Sequence, residues 1–205
     1  MYGIINGKIN LRVNKFQVIR GLWKGLAVPT KMYGLEVIDI TGKEKKGLEV
    51  VQNKAARKAL GANKHVAIEA LRGEMGWSTF EERIKKTKIN YRIRLKHMEE
   101  KRWAKRIFNW KGRNSKFKKQ SNMCMNKIGM KITTSNNDKE IKLNGVVLDG
   151  ERKIQGIVKK EVKKKGLNKW KENISKKRSL RWYKEKEIPK TENIFNGSWE
   201  STLLF

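Results

Sequence analysis

The chain has 205 residues, of which 38% are hydrophobic, and 50 Lys and Arg against 20 Asp and Glu give it a formal net charge of +30 at pH 7. That apolar fraction is enough to build a core in one or two small domains, which excludes a chain disordered throughout. There is no run of about 18 apolar residues and no basic leader with an apolar segment behind it, so a membrane-spanning or secreted protein is not expected.

A charge of this size repels itself unless a polyanion offsets it, and nucleic acid is the commonest polyanion in a cell. Each side of a division at Trp110 holds 25 basic and 10 acidic residues, so the positive field covers the whole chain and not one tail. Cys124 is the only cysteine, which excludes an internal disulfide and a Cys-cluster zinc site and suits a reducing compartment. The expected location is intracellular, nuclear or cytoplasmic, and no membrane partner is expected.

In chain order, residues 14–26 are predicted helical, with Phe16, Val18, Ile19, Leu22 and Trp23 recurring at spacings of three and four. Pro29 suits the first turn of a short helix over 30–38, and 41–47 is predicted to be loop. A helix over 47–62 should present Leu48, Val51, Ala55 and Ala59 on one face, with Gly61 ending it and Lys54, Arg57 and Lys58 along its flank. A short helix over 67–72 should follow, and then a turn over 73–76.

Ser78 and Glu81 have the spacing of a capping box, in which hydroxyl and carboxylate each satisfy a free amide at a helix start. The helix they open is predicted to run from 79 to about 108. Phe80, Ile84, Tyr91, Leu95 and Met98 share one of its faces, while Ile89, Ile93, Trp103 and Ile107 fall nearly opposite, so it should be packed on two sides. Between these stripes Arg83, Lys86, Asn90, Arg94, His97, Lys101 and Lys105 fall in one sector of roughly 100° with no acid among them, a track suited to phosphates. The bland alternative is a solvated helix face. Trp23, Trp77 and Trp103 sit in apolar patterns and are expected in a core, whereas Trp110, next to Lys111, is the better candidate for stacking on a base.

Residues 111–127 lack clear periodicity and are predicted to be a mobile basic linker. Two short strands are predicted near 130–134 and 141–147, with a turn over 135–138 between them. Helical stretches follow over 150–165, with Ile154, Ile157, Val158 and Val162 on one side, and over 167–186, with Trp170, Ile174, Leu180 and Tyr183. Pro189 breaks the pattern.

Two-metal nucleic-acid chemistry needs clustered carboxylates, because only these hold two divalent ions about 4 Å apart. The three aspartates, Asp39, Asp138 and Asp149, are scattered, and the two histidines, His65 and His97, with Cys124 would offer three ligands from distant places. Neither a G-x-S-x-G nucleophile elbow nor a phosphate-binding P-loop occurs. No cofactor, no metal and no catalysis by this chain alone are expected.

Residues 20–37, RGLWKGLAVPTKMYGLEV, resemble the stretch after the catalytic palm of non-LTR retrotransposon reverse transcriptases, through Leu22-Trp23, Val28-Pro29, Tyr33-Gly34 and Glu36. LEVVQNKAARKALGA and AIEALRGEMGWSTFEERIKKTKINYRIRLKHMEEKRWAK continue the resemblance in the same order, over about 14–110; residues 194–205 are similar to a segment that in such proteins precedes a Cys/His-rich tail. The resemblance implies that the Tyr/Phe-Ala-Asp-Asp motif would lie before Met1 and the Cys/His tail beyond Phe205. It therefore implies a fragment, or a decayed or domesticated element, that holds the thumb and connecting region, and the family's thumb grips template and primer.

The expected fold is mainly α. A thumb-like helical region over 1–110 contains the long amphipathic helix, a basic linker with candidate short strands spans 111–147, a basic helical segment spans 148–188, and a tail covers 189–205. The expected function is non-catalytic binding of RNA or DNA, an RNA–DNA hybrid by preference, through phosphate contacts of Lys54, Arg57, Lys58, Arg83, Lys86, Arg94, Lys101 and Lys105. The rival is a structural module whose apolar helix faces dock the palm of a polymerase, with charge serving only solubility. A third reading, polymerase activity in this chain itself, is opposed by the lack of paired aspartates.

Overall fold

The computed structural model describes residues 14–110, 115–135, 138–143, 146–148 and 150–185. It is mainly helical, as expected, with a small antiparallel sheet. Two compact units interleave along the chain: one draws on residues 14–33, 42–79 and 167–185, the other on 34–41 and the described part of 80–166.

In the first unit, α1 (Lys15–Leu22) is capped by Asn14, whose side chain accepts the Gln17 N–H at 3.2 Å. The helix passes through a π-helical turn, Trp23–Ala27, into α2 (Val28–Met32), with Pro29 in its first turn. The second helix thus ends at Met32 and does not reach 38. α3 (Gly42–Leu60) starts five residues earlier than the expected loop allows, and Gly61, at φ +63°, ends it as predicted.

Ala55, Ala56 and Ala59 are buried on α3, which packs against α1. The buried face also holds Gln52, which donates from Nε2 to the Ser78 carbonyl at 3.1 Å, and it is rotated from the expected Leu48 and Val51, which are half-buried. Trp23 and Trp77 are core residues, as predicted, with stacked rings 5.5 Å apart.

α4 (Ile68–Met75) continues through the expected turn at Gly73 and ends at Gly76 in the left-handed conformation. Gly73 is there for packing: a Cβ on it would lie 3.1 Å from the Trp170 ring and 3.3 Å from that of Tyr183. Trp170 donates from Nε1 to the Glu69 carbonyl at 3.0 Å, and Ala70, Trp170, Ile174 and Leu180 close this part of the core.

In the second unit, α5 (Phe80–His97) is buried on two sides, as predicted, with Phe80, Ile84 and Leu95 on one and Ile89 and Ile93 on the other. The predicted continuation to 108 is broken. α6 (Trp103–Asn109) is a separate helix, and between them Lys105 donates to the carbonyl of Lys96 at 2.6 Å, satisfying a last-turn carbonyl of α5 with an ammonium.

The expected linker over 111–127 is corrected as well. Residues 111–114 lie outside the described residues, but Ser115 accepts the Lys118 N–H at 3.2 Å and opens α7 (Lys116–Lys127). β1 (Met130–Ser135) and β2 (Asp138–Leu143) form an antiparallel pair, with Ser135 opposite Asp138 where the turn was predicted. The second expected strand is two, because Leu143 pairs with Val146 and β3 (Val146–Leu148) returns along β2.

The core of this unit joins Ile89 and Ile93 of α5 to Met125, Ile128, Met130 and Ile141, and to Ile154, Val158 and Val162 of α8 (Glu151–Ser175). α8 replaces the two expected stretches and is followed by a 3-10 segment, Arg178–Glu185. Ile154, Val158 and Val162 belong to the second unit's core, and Trp170 and Ile174 to that of the first.

Candidate nucleic-acid interface

The geometry of α5 sets which of its cations can meet a ligand. Its buried residues span roughly 220° of the circumference, and Lys86, His97, Asn90, Arg83 and Arg94 fall within roughly 80° of the remaining arc. Arg94 and His97 are exposed, while Arg83 and Lys86 are half-exposed. Aromatic rings support two of the guanidiniums: Arg83 lies 5.2 Å from the ring centre of Phe80 and Arg94 5.9 Å from that of Tyr91. His97 donates from Nδ1 to the Ile93 carbonyl at 2.9 Å.

The helix break removes the end of the expected track. Lys101 is exposed but sits between helices, and Lys105 is only 8% exposed. The Lys105 ammonium is held by the Lys96 carbonyl and by Glu100 at 3.4 Å, so it is a structural cation that closes α5.

On α3, Lys54 is exposed and Lys58 half-buried. Arg57 donates to the Val66 carbonyl at 3.3 Å, tying the 61–66 loop to its helix. The eight predicted residues are therefore divided, three in the first unit and five in the second.

Two further cations of α5 are interior. Lys88, 2% exposed, donates to the Ile38 carbonyl at 2.8 Å. Arg92 donates to the Lys118 carbonyl at 3.1 Å and to Ser121 Oγ at 2.6 Å, and burial pulls its guanidinium below its ordinary pKa. The sequence carried no sign of their burial beyond their place between the two apolar stripes.

The sequence reading missed a larger cationic face. On the part of α8 that serves the second unit, Arg152, Lys153, Lys159, Lys160, Lys163 and Lys164 are all exposed. At 100° per residue they occupy one sector of roughly 140°, centred opposite Ile154, Val158 and Val162, and no carboxylate falls within it. The phase of that apolar ladder was the available signal.

Among the described residues, no group of three or more His, Cys, Asp or Glu is placed to hold a metal ion, and no helix is long and apolar enough to cross a membrane. No family model, curated protein or solved structure matches the chain.

Proposed function

We propose that this chain binds nucleic acid without base specificity and without a reaction of its own, as the thumb and connecting region of a non-LTR retrotransposon reverse transcriptase that holds template and primer. The family half of this reading rests on the resemblance over 14–110. The binding half rests above all on one observation: in the second unit, α5 and the first part of α8 each carry a cationic sector with no acid in it. Ordinary solvated helix faces mix the two signs. A net charge of +30 adds the long-range attraction that brings a polyanion to such faces. Lysine ammoniums and arginine forks meet phosphate oxygens whatever the base sequence, so contacts of this kind position a strand without reading it.

The test is binding of the purified chain to a labelled RNA–DNA hybrid and to single-stranded RNA over roughly 50 to 200 mM salt. A slope equivalent to six or more released counterions, at about 0.9 per duplex phosphate, with tighter binding to the hybrid, is the expected result. A shallow slope with weak binding to both would remove nucleic acid from the reading and leave the charge as a solubility device.

A further inference from the structure

The predicted core residue Trp103 is 72% exposed, and Ile107 and Trp110 are each 64% exposed. Together they form the outer face of α6, within about 60° at 100° per residue. The opposite face does the packing. Phe108 lies edge-on to Phe117 with ring centres 6.2 Å apart and takes the Arg92 guanidinium at 5.9 Å, and Lys105 and Asn109 both engage Glu100 on that side.

Among the described residues, α6 thus packs through the face away from the two indoles. Water-facing apolar groups at i, i+4 and i+7 ask for a ligand. The chemistry around them says which. Arg106 lies over the Trp103 ring at 4.6 Å, and Lys101 and Arg102, both exposed, precede it.

Resting on the nucleic-acid reading above, we propose that this face of α6 is a stacking platform for unpaired bases. Trp103 and Trp110 would each take the face of a base, while Lys101, Arg102 and Arg106 hold the adjoining phosphates. Seven residues of helix separate the indoles by about 10 Å along the axis, so they would take different bases. Paired bases keep their faces inside the stack, which makes the platform selective for single strands. Stacking of this kind tolerates any base, because every base has a π-face. An apolar protein partner would fit the indoles and not the three cations beside them.

The test separates bases from phosphates. The full chain, with Trp103→Ala and Trp110→Ala singly and together, would be titrated with a short oligothymidylate, with the same strand made abasic, and with an RNA–DNA hybrid. The wild-type chain should bind the base-bearing strand at least about thirtyfold more tightly than the abasic one, from two stacked bases at about 1–3 kcal/mol each. The double variant should lose that preference while keeping its affinity for the hybrid within about twofold and its salt slope unchanged, and Trp103→Phe should retain most of it.

Equal affinity of the wild-type chain for base-bearing and abasic strands would overturn the platform and leave the phosphate-binding reading standing. Equal losses on single strand and hybrid would do the same, with circular dichroism of the variants separating misfolding from lost contacts. If the wild-type chain bound none of the three, both readings would fail. Self-association lost on Trp103→Ala would then give the face to a second copy of the chain.

Discussion

α5 and α8 are both long, both basic and both packed into the same core, yet they use their charge differently. On α5, apolar residues on two sides leave a narrow open arc, and Lys88 and Arg92 are drawn into the interior to satisfy the Ile38 and Lys118 carbonyls. On the first part of α8, a single ladder, Ile154, Val158 and Val162, faces the core, and seven cations are exposed, six of them in the sector opposite that ladder. A count of lysines and arginines therefore overstates the charge available to a ligand wherever a helix is covered on more than one side. Cations on a twice-covered helix work partly as hydrogen-bond donors to backbone carbonyls of other segments, where they are costly to remove.

The largest effect should come from the residue that the core of both helices shares. Ile93, 1% exposed, packs in the cluster with Val158 and Val162, and Ile93→Ala should cost about 2–5 kcal/mol in urea unfolding. A loss below about 1 kcal/mol would mean that the two helices do not share a packed core.

Arg92→Ala comes next, at about 1–3 kcal/mol, because it leaves the buried Ser121 hydroxyl oxygen without its donor and takes from the Lys118 carbonyl one of its two side-chain donors, Ser121 being the other. Its effect on the salt slope of binding should be nil, since the guanidinium faces inward. A slope that shrank with it would place Arg92 among the phosphate contacts.

The reverse pattern is expected on α8. Lys160→Glu with Lys164→Glu should leave the urea midpoint almost unchanged, since both side chains are exposed. The double change should lower affinity for all sequences alike, with the salt slope reduced by about 0.9 for each lost phosphate contact. Lys105→Met is the matched control on the other helix system, expected to lower stability and leave the slope as it was. Exchanged outcomes for these two variants would invert the comparison.

The smallest effect concerns Glu172, whose carboxyl the hydrogen bond and charge of Lys176 hold below the ordinary carboxylate range. A depressed folded-state pKa adds stability that is present above the unfolded value and lost as pH falls through the folded one. The melting temperatures of wild type and Glu172→Gln should therefore differ slightly at neutral pH and converge in acid. A difference that persisted in acid would come from something other than this ion pair.

Several features were plain in the residues. Gly61 ends α3, Trp23 and Trp77 enter a core, α5 is covered on two faces, and β1 starts at Met130. Local signals produce each of them: a C-terminal glycine, a 3.6-residue period, a run of strand formers. Two missed elements also had local signals. Ser115 at a cap position opens α7, and Asn144-Gly145, the dipeptide that most favours a two-residue hairpin, lies between the paired Leu143 and Val146.

The break between α5 and α6 had no such mark. No proline or glycine occurs from Phe80 to Asn109, and the Lys96 carbonyl in the last turn of α5 is met by Lys105 from α6. That break is also what turns Trp103 from an expected core residue into an exposed one, because α6 packs through Phe108 instead.

The sequence by itself determined the charge, the helical character and the position of most caps and apolar stripes, because these depend on residue type and on neighbours within a turn or two. Only the tertiary structure decided which cations are open to a ligand, where the long helix ends and which tryptophans face water. Those outcomes depend on carbonyls and rings brought close by packing from residues far along the chain, as when Ile38 takes Lys88 and Phe117 takes Phe108. No pattern along one helix records them.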